Sequence, residues 1–559
     1  MRKVISLFVT FVVLLSGMTS ANSADNGSND PAQLMENSKP ASGARGIVFV
    51  ENASSVSPIG YLRYSRIPTF KSNGSIAPSD YWNWRKCTSW SDTNCPFKVG
   101  YQMEGRLFLG TCLNSEEIGC IESFSVFDSS GSAKKLTLMN KSFGATADIP
   151  EDIKLGIPRS SSPNVYQDSD GNLFLVRATL LVIVSGTDEP FYKFDADITP
   201  VSRNIDSSLS VPRVESITDS RTGLGHVFVS SGKQGCLSAD AGICYQARFS
   251  ELKNKYSLSV RVPRAVSGWL RGRVADADFD AQALNDRSQK ITITANSVRL
   301  PIAGGWVDYS QLPVGFIEKV WPSGGYDSNP NSSYFLVADP SQGDQGLEEY
   351  AAWSPYLKEK ALTTVSNWSF GTNFSNSGQS CLKASGEISG FVASNASVYS
   401  SKPPEWDAAT SSLTYKVAAP HLDELGNVNQ GTYTLAMPLK SIKCLYGQSN
   451  LPPSATVSIA YGSEVKTVAT VSLKSDSGWI FFAANGFHYS NPTIVVKFNK
   501  SKSALTGKAA PKPLKSSAAQ SPLATKSIWC SKGTITRKVI ATKPKCPKGF
   551  KMIANPKAG

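Results

Sequence analysis

The stretch Tyr256-Ser-Leu-Ser-Val-Arg-Val-Pro263 decides the fold class. Tyr256, Leu258, Val260 and Val262 alternate with Ser257, Ser259 and Arg261, and a period of two puts the apolar set on one side of a strand. Pro263 cannot donate to a ladder, so the strand stops there. Lys290-Ile-Thr-Ile-Thr-Ala295 repeats the pattern. Between them lies Gly268-Trp-Leu-Arg-Gly-Arg273, where an Arg could stack on Trp269. Further along, short β-branched runs recur at Leu413–Val417, Thr432–Met437, Thr456–Tyr461, Val468–Leu473, Trp479–Ala484 and Thr493–Phe498, separated by Gly, Asn, Asp and Pro. Leu173 to Val184 is apolar but short and holds Arg177, which reads as a buried β-strand pair rather than a membrane helix. Asp344 to Trp353 is the exception: an Asp start, early Glu348 and Glu349 and good helix formers predict a short helix. First-turn acids favouring the helix dipole explain those two carboxylates better than catalysis does.

The expected fold is mainly β: several antiparallel β-sandwich-like domains, one short helical insert and a small disulfide-closed C-terminal β-hairpin. The expected order is a signal peptide at 1–24, a flexible lead-in at 25–45 and an N-terminal β domain at 46–205. A second β domain at 206–312, a helical connector at 313–375 and a β-sandwich at 376–498 follow. A linker at 499–526 and a basic hairpin at 527–559 end the chain. Arg2 and Lys3, the apolar run Val4 to Met18 and small residues near Ala21 form a secretory signal. No apolar run ends the chain, so no membrane span is expected once the signal is removed, and the expected location is extracellular or wall-associated.

An exported chain with an even number of cysteines, ten here, is read as disulfide-bonded. Spacing suggests Cys87–Cys95, Cys112–Cys120, Cys236–Cys244, Cys381–Cys444 and Cys530–Cys546. Gly110-Thr-Cys-Leu through Cys120 matches Gly235-Cys-Leu through Cys244 in outline, as two short loops that each feed a strand. Asp168-Ser-Asp-Gly-Asn172 lacks the later ligands of a calcium loop and reads as a hairpin turn. In Asp276-Ala-Asp278-Phe-Asp280, Ala281 stands where the sharp-turn Gly belongs and Arg287 where the bidentate Glu belongs. No metal and no cofactor are expected. Tyr81-Trp82-Asn83-Trp84, with Trp90 between Cys87 and Cys95, has two readings, a platform for sugar rings or a disulfide-tied cap.

Charge is segregated along the chain. The sequence holds 57 basic and 44 acidic residues for a net +13, yet residues 500–559 carry fourteen Lys/Arg and no acid, leaving 43 against 44 elsewhere. Residues 501–526 are Ala, Pro, Ser and Lys, a composition too poor in apolar groups to offset ordering entropy. Residues 527–559 hold Trp529, Phe550 and the β-branched Thr534 to Ile540, enough for a mini-sheet closed by Cys530–Cys546. Two Cys without His cannot complete a zinc site there. Lys532, Arg537, Lys538, Lys543, Lys545, Lys548 and Lys551 are the candidate contacts for an anionic wall polymer. Nucleic acid is a poor match for an exported chain.

Cys120-Ile-Glu-Ser, Gly268-Trp-Leu-Arg-Gly-Arg273, Trp353, Trp368-Ser-Phe, Gly478-Trp479, Gly486-Phe-His-Tyr-Ser-Asn-Pro-Thr-Ile-Val-Val-Lys497 and the tail Cys530-Ser-Lys-Gly through Lys545-Cys-Pro-Lys-Gly-Phe550 together resemble a group of uncharacterised secreted multidomain β-rich proteins of actinobacteria with a short basic Cys-containing tail. The resemblance covers about residues 80–498 plus the tail; it implies export and modularity and carries no chemistry. The only histidines are His226, His421 and His488, with no HExxH or GxSxG, so zinc-protease and esterase chemistry lack their parts. The expected function is a non-enzymatic envelope or extracellular protein. The alternative is a secreted glycan-binding protein or a glycan hydrolase using two carboxylates.

Overall fold

The computed structural model describes residues 31–51, 60–67, 84–139, 149–186, 188–203, 213–218, 225–230, 243–246, 249, 252–320, 329, 331–340, 344–373, 380–382, 387–400, 402–447, 455–461, 464–467, 471–476, 478–489, 492–498, 526–532, 535–541, 546 and 551–553. The chain forms two compact units, Met1–Ser501 and Lys502–Gly559. The fold is mainly β, with several antiparallel sheets, as the alternating stretches predict.

The first unit is organised around one large sheet. Its path runs Val471–Asp476, Trp479–His488, Gln430–Pro438, Ile388–Ser394, Gly268–Arg273, Ser369–Thr372, Phe191–Arg203, Leu173–Ser185, Tyr101–Phe108, Tyr61–Arg66 and Arg85–Lys86. Neighbours along this path are antiparallel except Gly268–Arg273 beside Ile388–Ser394, which is parallel. Leu173–Ser185 is not the expected pair of strands but a single thirteen-residue strand, because it pairs with both Tyr101–Phe108 and Phe191–Arg203 without a turn, and its Arg177 is buried against Asp197. The Gly225–Ser230 strand lies beside Arg85–Lys86.

Two other sheets cover it. The four-stranded sheet Ala275–Ala283, Ser288–Asn296, Lys255–Pro263 and Cys120–Phe127 packs on one face. Leu258, Val260 and Val262 meet Val176, Leu180 and Phe391 there, the face that the period of two marks. A six-stranded sheet that includes Ser412–Ala418, Pro492–Phe498 and Ala455–Tyr461 packs on the other face, through Leu413, Tyr415, Val417, Ile494 and Val496. It meets Val392, Leu435, Met437, Ile480 and Phe482. Ile388–Ser394 is buried at every position because alternate residues serve two different cores. Gly390 sits where a Cβ would run into the Trp269 ring.

Several expected boundaries do not separate sheets. Residues expected in four segments, 46–205, 206–312, 313–375 and 376–498, supply adjacent strands of the large sheet. The expected connector at 313–375 contributes Ser369–Thr372, which bridges Phe191–Arg203 and Gly268–Arg273. Its helical part is Gln345–Trp353, as predicted, packed beside the three-stranded sheet Gly304–Asp308, Ala44–Phe49 and Tyr334–Ala338. The expected lead-in at 25–45 holds a short helix, Pro31–Asn37, because Met35 is fully buried against Val48, Leu300 and Ile302.

Cys87–Cys95, Cys112–Cys120 and Cys381–Cys444 are bonded as their spacing suggests. Cys546 is also in a disulfide. Cys236 and the side chains of Cys244 and Cys530 lie outside the described residues, and with them the expected Cys236–Cys244 pair. In the second unit, Lys526–Lys532 pairs with Ile535–Ala541 and Lys551–Ile553.

Candidate functional site

Where the six-stranded cover ends, the same face of the large sheet changes chemistry. Cross-strand partners share a face, so the register builds rows of side chains. One row is Lys86, Arg63, Glu104, Ile183 and Phe191; the next is Tyr61, Arg106, Leu181 and Lys193. A third runs Thr179, Asp195, Gly371 and Arg271. Arg63, Lys86, Arg106, Lys193 and Arg271 stand against Glu51, Glu104 and Asp195, a surplus of two positive charges. Leu181 and Ile183 are half-buried and Phe191 is 44% exposed.

At the inner end, Glu51 Oε1 lies 3.0 Å from Arg271 Nη1 and 3.2 Å from Arg273 Nε. Arg273 is fully buried, donates to the carbonyls of Ser394, Ala396 and Ser397, and lies 4.2 Å from the Tyr399 ring centre. The expected stacking partner, Trp269, instead points into the core and donates its indole N–H to Leu382 O, so the ring under an arginine is Tyr399. Burial works against the Arg271 cation, but Glu51, Tyr399 and Asp195 outweigh it and push its pKa up. Burial also pushes the Asp195 carboxyl up, against Lys193 at 3.6 Å and Arg271 at 3.5 Å. A Cβ at Gly371 would overlap Asp195 Oδ1, so glycine there makes the room this carboxylate occupies.

At the outer end, cations lie on aromatic faces. Arg63 is 4.0 Å from the Trp84 ring centre and 4.9 Å from that of Tyr61, and Arg106 is 5.7 Å from Tyr61. Glu104 Oε1 accepts from Tyr61 Oη and Arg63 Nη2, each at 2.7 Å. On the opposite face of these strands, Arg85 lies over Tyr64, Tyr64 stacks on Tyr101, and Lys98 lies over Tyr101. The two readings of the Trp cluster therefore divide: Trp90 is buried in the Cys87–Cys95 cap, whereas Trp84 is half-exposed against Arg63. Tyr81 to Asn83 lie outside the described residues.

Burial, then the Glu104 carboxylate, pushes the Tyr61 phenol up to about 12. The folded state thus binds this proton more tightly than the unfolded chain, whose tyrosine titrates near ~10. The stability it contributes is complete below that value and is lost as pH rises through about 12. Denaturant unfolding at stepped alkaline pH is expected to show a shallower loss in Tyr61→Phe than in the parent.

Other charged groups are tied locally. The Asp168 carboxylate accepts from the amides of Asp170 and Asn172 in a turn with Gly171 at φ 86°, and the hairpin is as expected. Asp276, Asp278 and Asp280 lie in a paired strand, Ala275–Ala283. Glu349 is buried and accepts from Gln345, while Asp344 accepts from Ser400 and Lys402. A cavity of about 470 Å³ is lined by Tyr350, Glu359 and His421, whose Nδ1 lies 3.0 Å from Tyr489 O. Another of about 480 Å³ is lined by Arg264, Lys440, Lys443 and Trp479, and Lys440 is paired with Glu387.

Of the tail residues, Lys532, Arg537, Lys538 and Lys551 lie in its three strands, and Lys551 is exposed. The register sets position 537 opposite 530 and position 538 opposite 529. Lys543, Lys545 and Lys548 lie outside the described residues. No helix among the described residues is long and apolar enough to cross a membrane. No family model, curated protein or solved structure matches the chain.

Proposed function

We propose that the chain is an exported, non-enzymatic protein of the cell envelope or extracellular space, whose β framework binds or spaces and whose basic tail associates with an anionic wall polymer. The observation that carries this reading is the segregation of charge. The residues that hold the whole positive surplus form a compact unit of their own, apart from a nearly neutral body. Disulfides in the first unit suit an oxidising compartment. The signal-like start and the resemblance to secreted actinobacterial proteins point the same way.

The test replaces Lys532, Arg537, Lys538, Lys543, Lys545, Lys548 and Lys551 by Gln in the full chain and compares wall-bound and medium fractions. Contacts worth about 0.2–1 kcal/mol each sum to a drop in retention of roughly tenfold or more. Parent retention is expected to fall as salt rises from about 0.1 M to about 1 M, where the screening length shortens from ~10 to ~3 Å. Unchanged retention of the variant at both salts would remove the tail from the account.

A further inference from the structure

We propose that the charged strip on the large sheet binds an acidic glycan, a linear carboxylated polysaccharide lying across the strands from Trp84 to Lys193. This rests on the reading of the chain as a binding protein, but not on the tail. Three observations converge on it.

The first is the change of surface along one face. Under the six-stranded cover this face shows Val392, Leu435 and Met437. Beyond the cover it shows cations between half-buried Leu181 and Ile183 and exposed Phe191. A sugar ring has an apolar C–H face and a polar edge, and this alternation offers partners to both.

The second is preorganisation. Trp84 and Tyr61 hold the Arg63 guanidinium between two rings, so little side-chain freedom remains to be lost on binding. Glu104 accepts from Arg63 Nε and Nη2 on one edge of the guanidinium, and a guanidinium has a second edge that can meet a carboxylate, which a Lys point charge lacks. The strip's surplus of two positive charges is the complement of an acidic chain: exposed Lys86 and half-buried Arg63, Arg106 and Lys193 face it, while Arg271 closes the inner end, buried against Glu51 and Asp195.

The third is length. From Arg85–Lys86 to Phe191–Arg203, the last strand with exposed or half-buried side chains on this face, the path crosses four strand spacings, on the order of 19 Å at about 4.8 Å each. That suits a run of sugars rather than a single small anion.

Affinity electrophoresis of the full-length protein, through gels holding polygalacturonate, a neutral glucan or linear polyphosphate, tests the proposal. Polygalacturonate is expected to retard the parent more than either other polymer does. Arg63→Gln and Trp84→Ala are each expected to weaken that retardation roughly tenfold, and Arg63→Gln is also expected to lower thermal unfolding, since buried Glu104 loses its cation. Should Trp84→Ala fail to fold, Lys86→Gln, at an exposed strand position, is expected to weaken it with the fold intact. The Gln-substituted tail is expected to keep polygalacturonate binding, even if it loses the wall, which separates this site from the tail. Parent-like binding by folded Arg63→Gln and Lys86→Gln would overturn the assignment. So would loss of all retardation in the tail variant, or polyphosphate matching polygalacturonate in every variant.

Discussion

Glu51→Leu is expected to destabilise the first unit by about 3–5 kcal/mol, the cost of leaving a buried charge without its partner. One carboxylate oxygen serves both Arg271 and Arg273. Without it, Arg273 keeps, among the described residues, only carbonyl oxygens and the Tyr399 ring, at a position with no solvent contact. Arg271 keeps Asp195 at 3.5 Å. The denaturant midpoint should fall with little change in slope, as for a loss of native contacts alone. Glu122→Gln is the comparison. Glu122 pairs with Arg261 at 3.2 Å nearer the surface, and its loss is expected to cost at most about 1 kcal/mol. Equal shifts for the two variants would mean that the Glu51 cluster is solvated and carries no special share of stability.

The second large effect is expected at Cys381–Cys444. A sequence separation of 63 closes a loop worth about 4 kcal/mol in the chain-entropy account, against about 2.5 kcal/mol for the separation of 8 at Cys87–Cys95. The longer bridge ties the Ser380–Leu382 turn to the helix Leu439–Tyr446. Leu382 also accepts the Trp269 indole hydrogen and packs in the same core as Ile442. The double variant Cys381→Ser/Cys444→Ser should therefore unfold at a much lower denaturant concentration than Cys87→Ser/Cys95→Ser. The reverse order would contradict the loop-length argument.

Much of the fold is legible because half-buried strands alternate. Tyr256 to Val262 and Lys290 to Ala295 fall in paired strands with the apolar face inward. The late strands from Leu413 to Phe498 are also close to where turn residues bound them. Ile388–Ser394 is harder to see because both its faces are buried and no alternation survives. The helix Leu439–Tyr446 is missed because its eight residues fill barely two turns. Short cystine loops are readable from spacing. The charged strip is not, since Glu51, Arg63, Arg106, Asp195 and Arg271 come from different strands or chain segments and meet only through register. Each one alone in a sequence looks like a solvated strand position. Trp84 gives the nearest signal, but its cation lies 21 residues upstream.

The position of Ser369–Thr372 in the large sheet bears on the order in which the molecule assembles. Among the described residues, Phe191–Arg203 and Gly268–Arg273 are joined only through that later segment, and Gly268–Arg273 finds its parallel partner later still, at Ile388–Ser394. Emerging chain cannot complete the sheet until more than two thirds of it is available, so early strands wait with open edges. Such high contact order slows folding and exposes aggregation-prone edges meanwhile. A chain released whole from an export channel would meet those late partners at once, whereas one folding during synthesis would not.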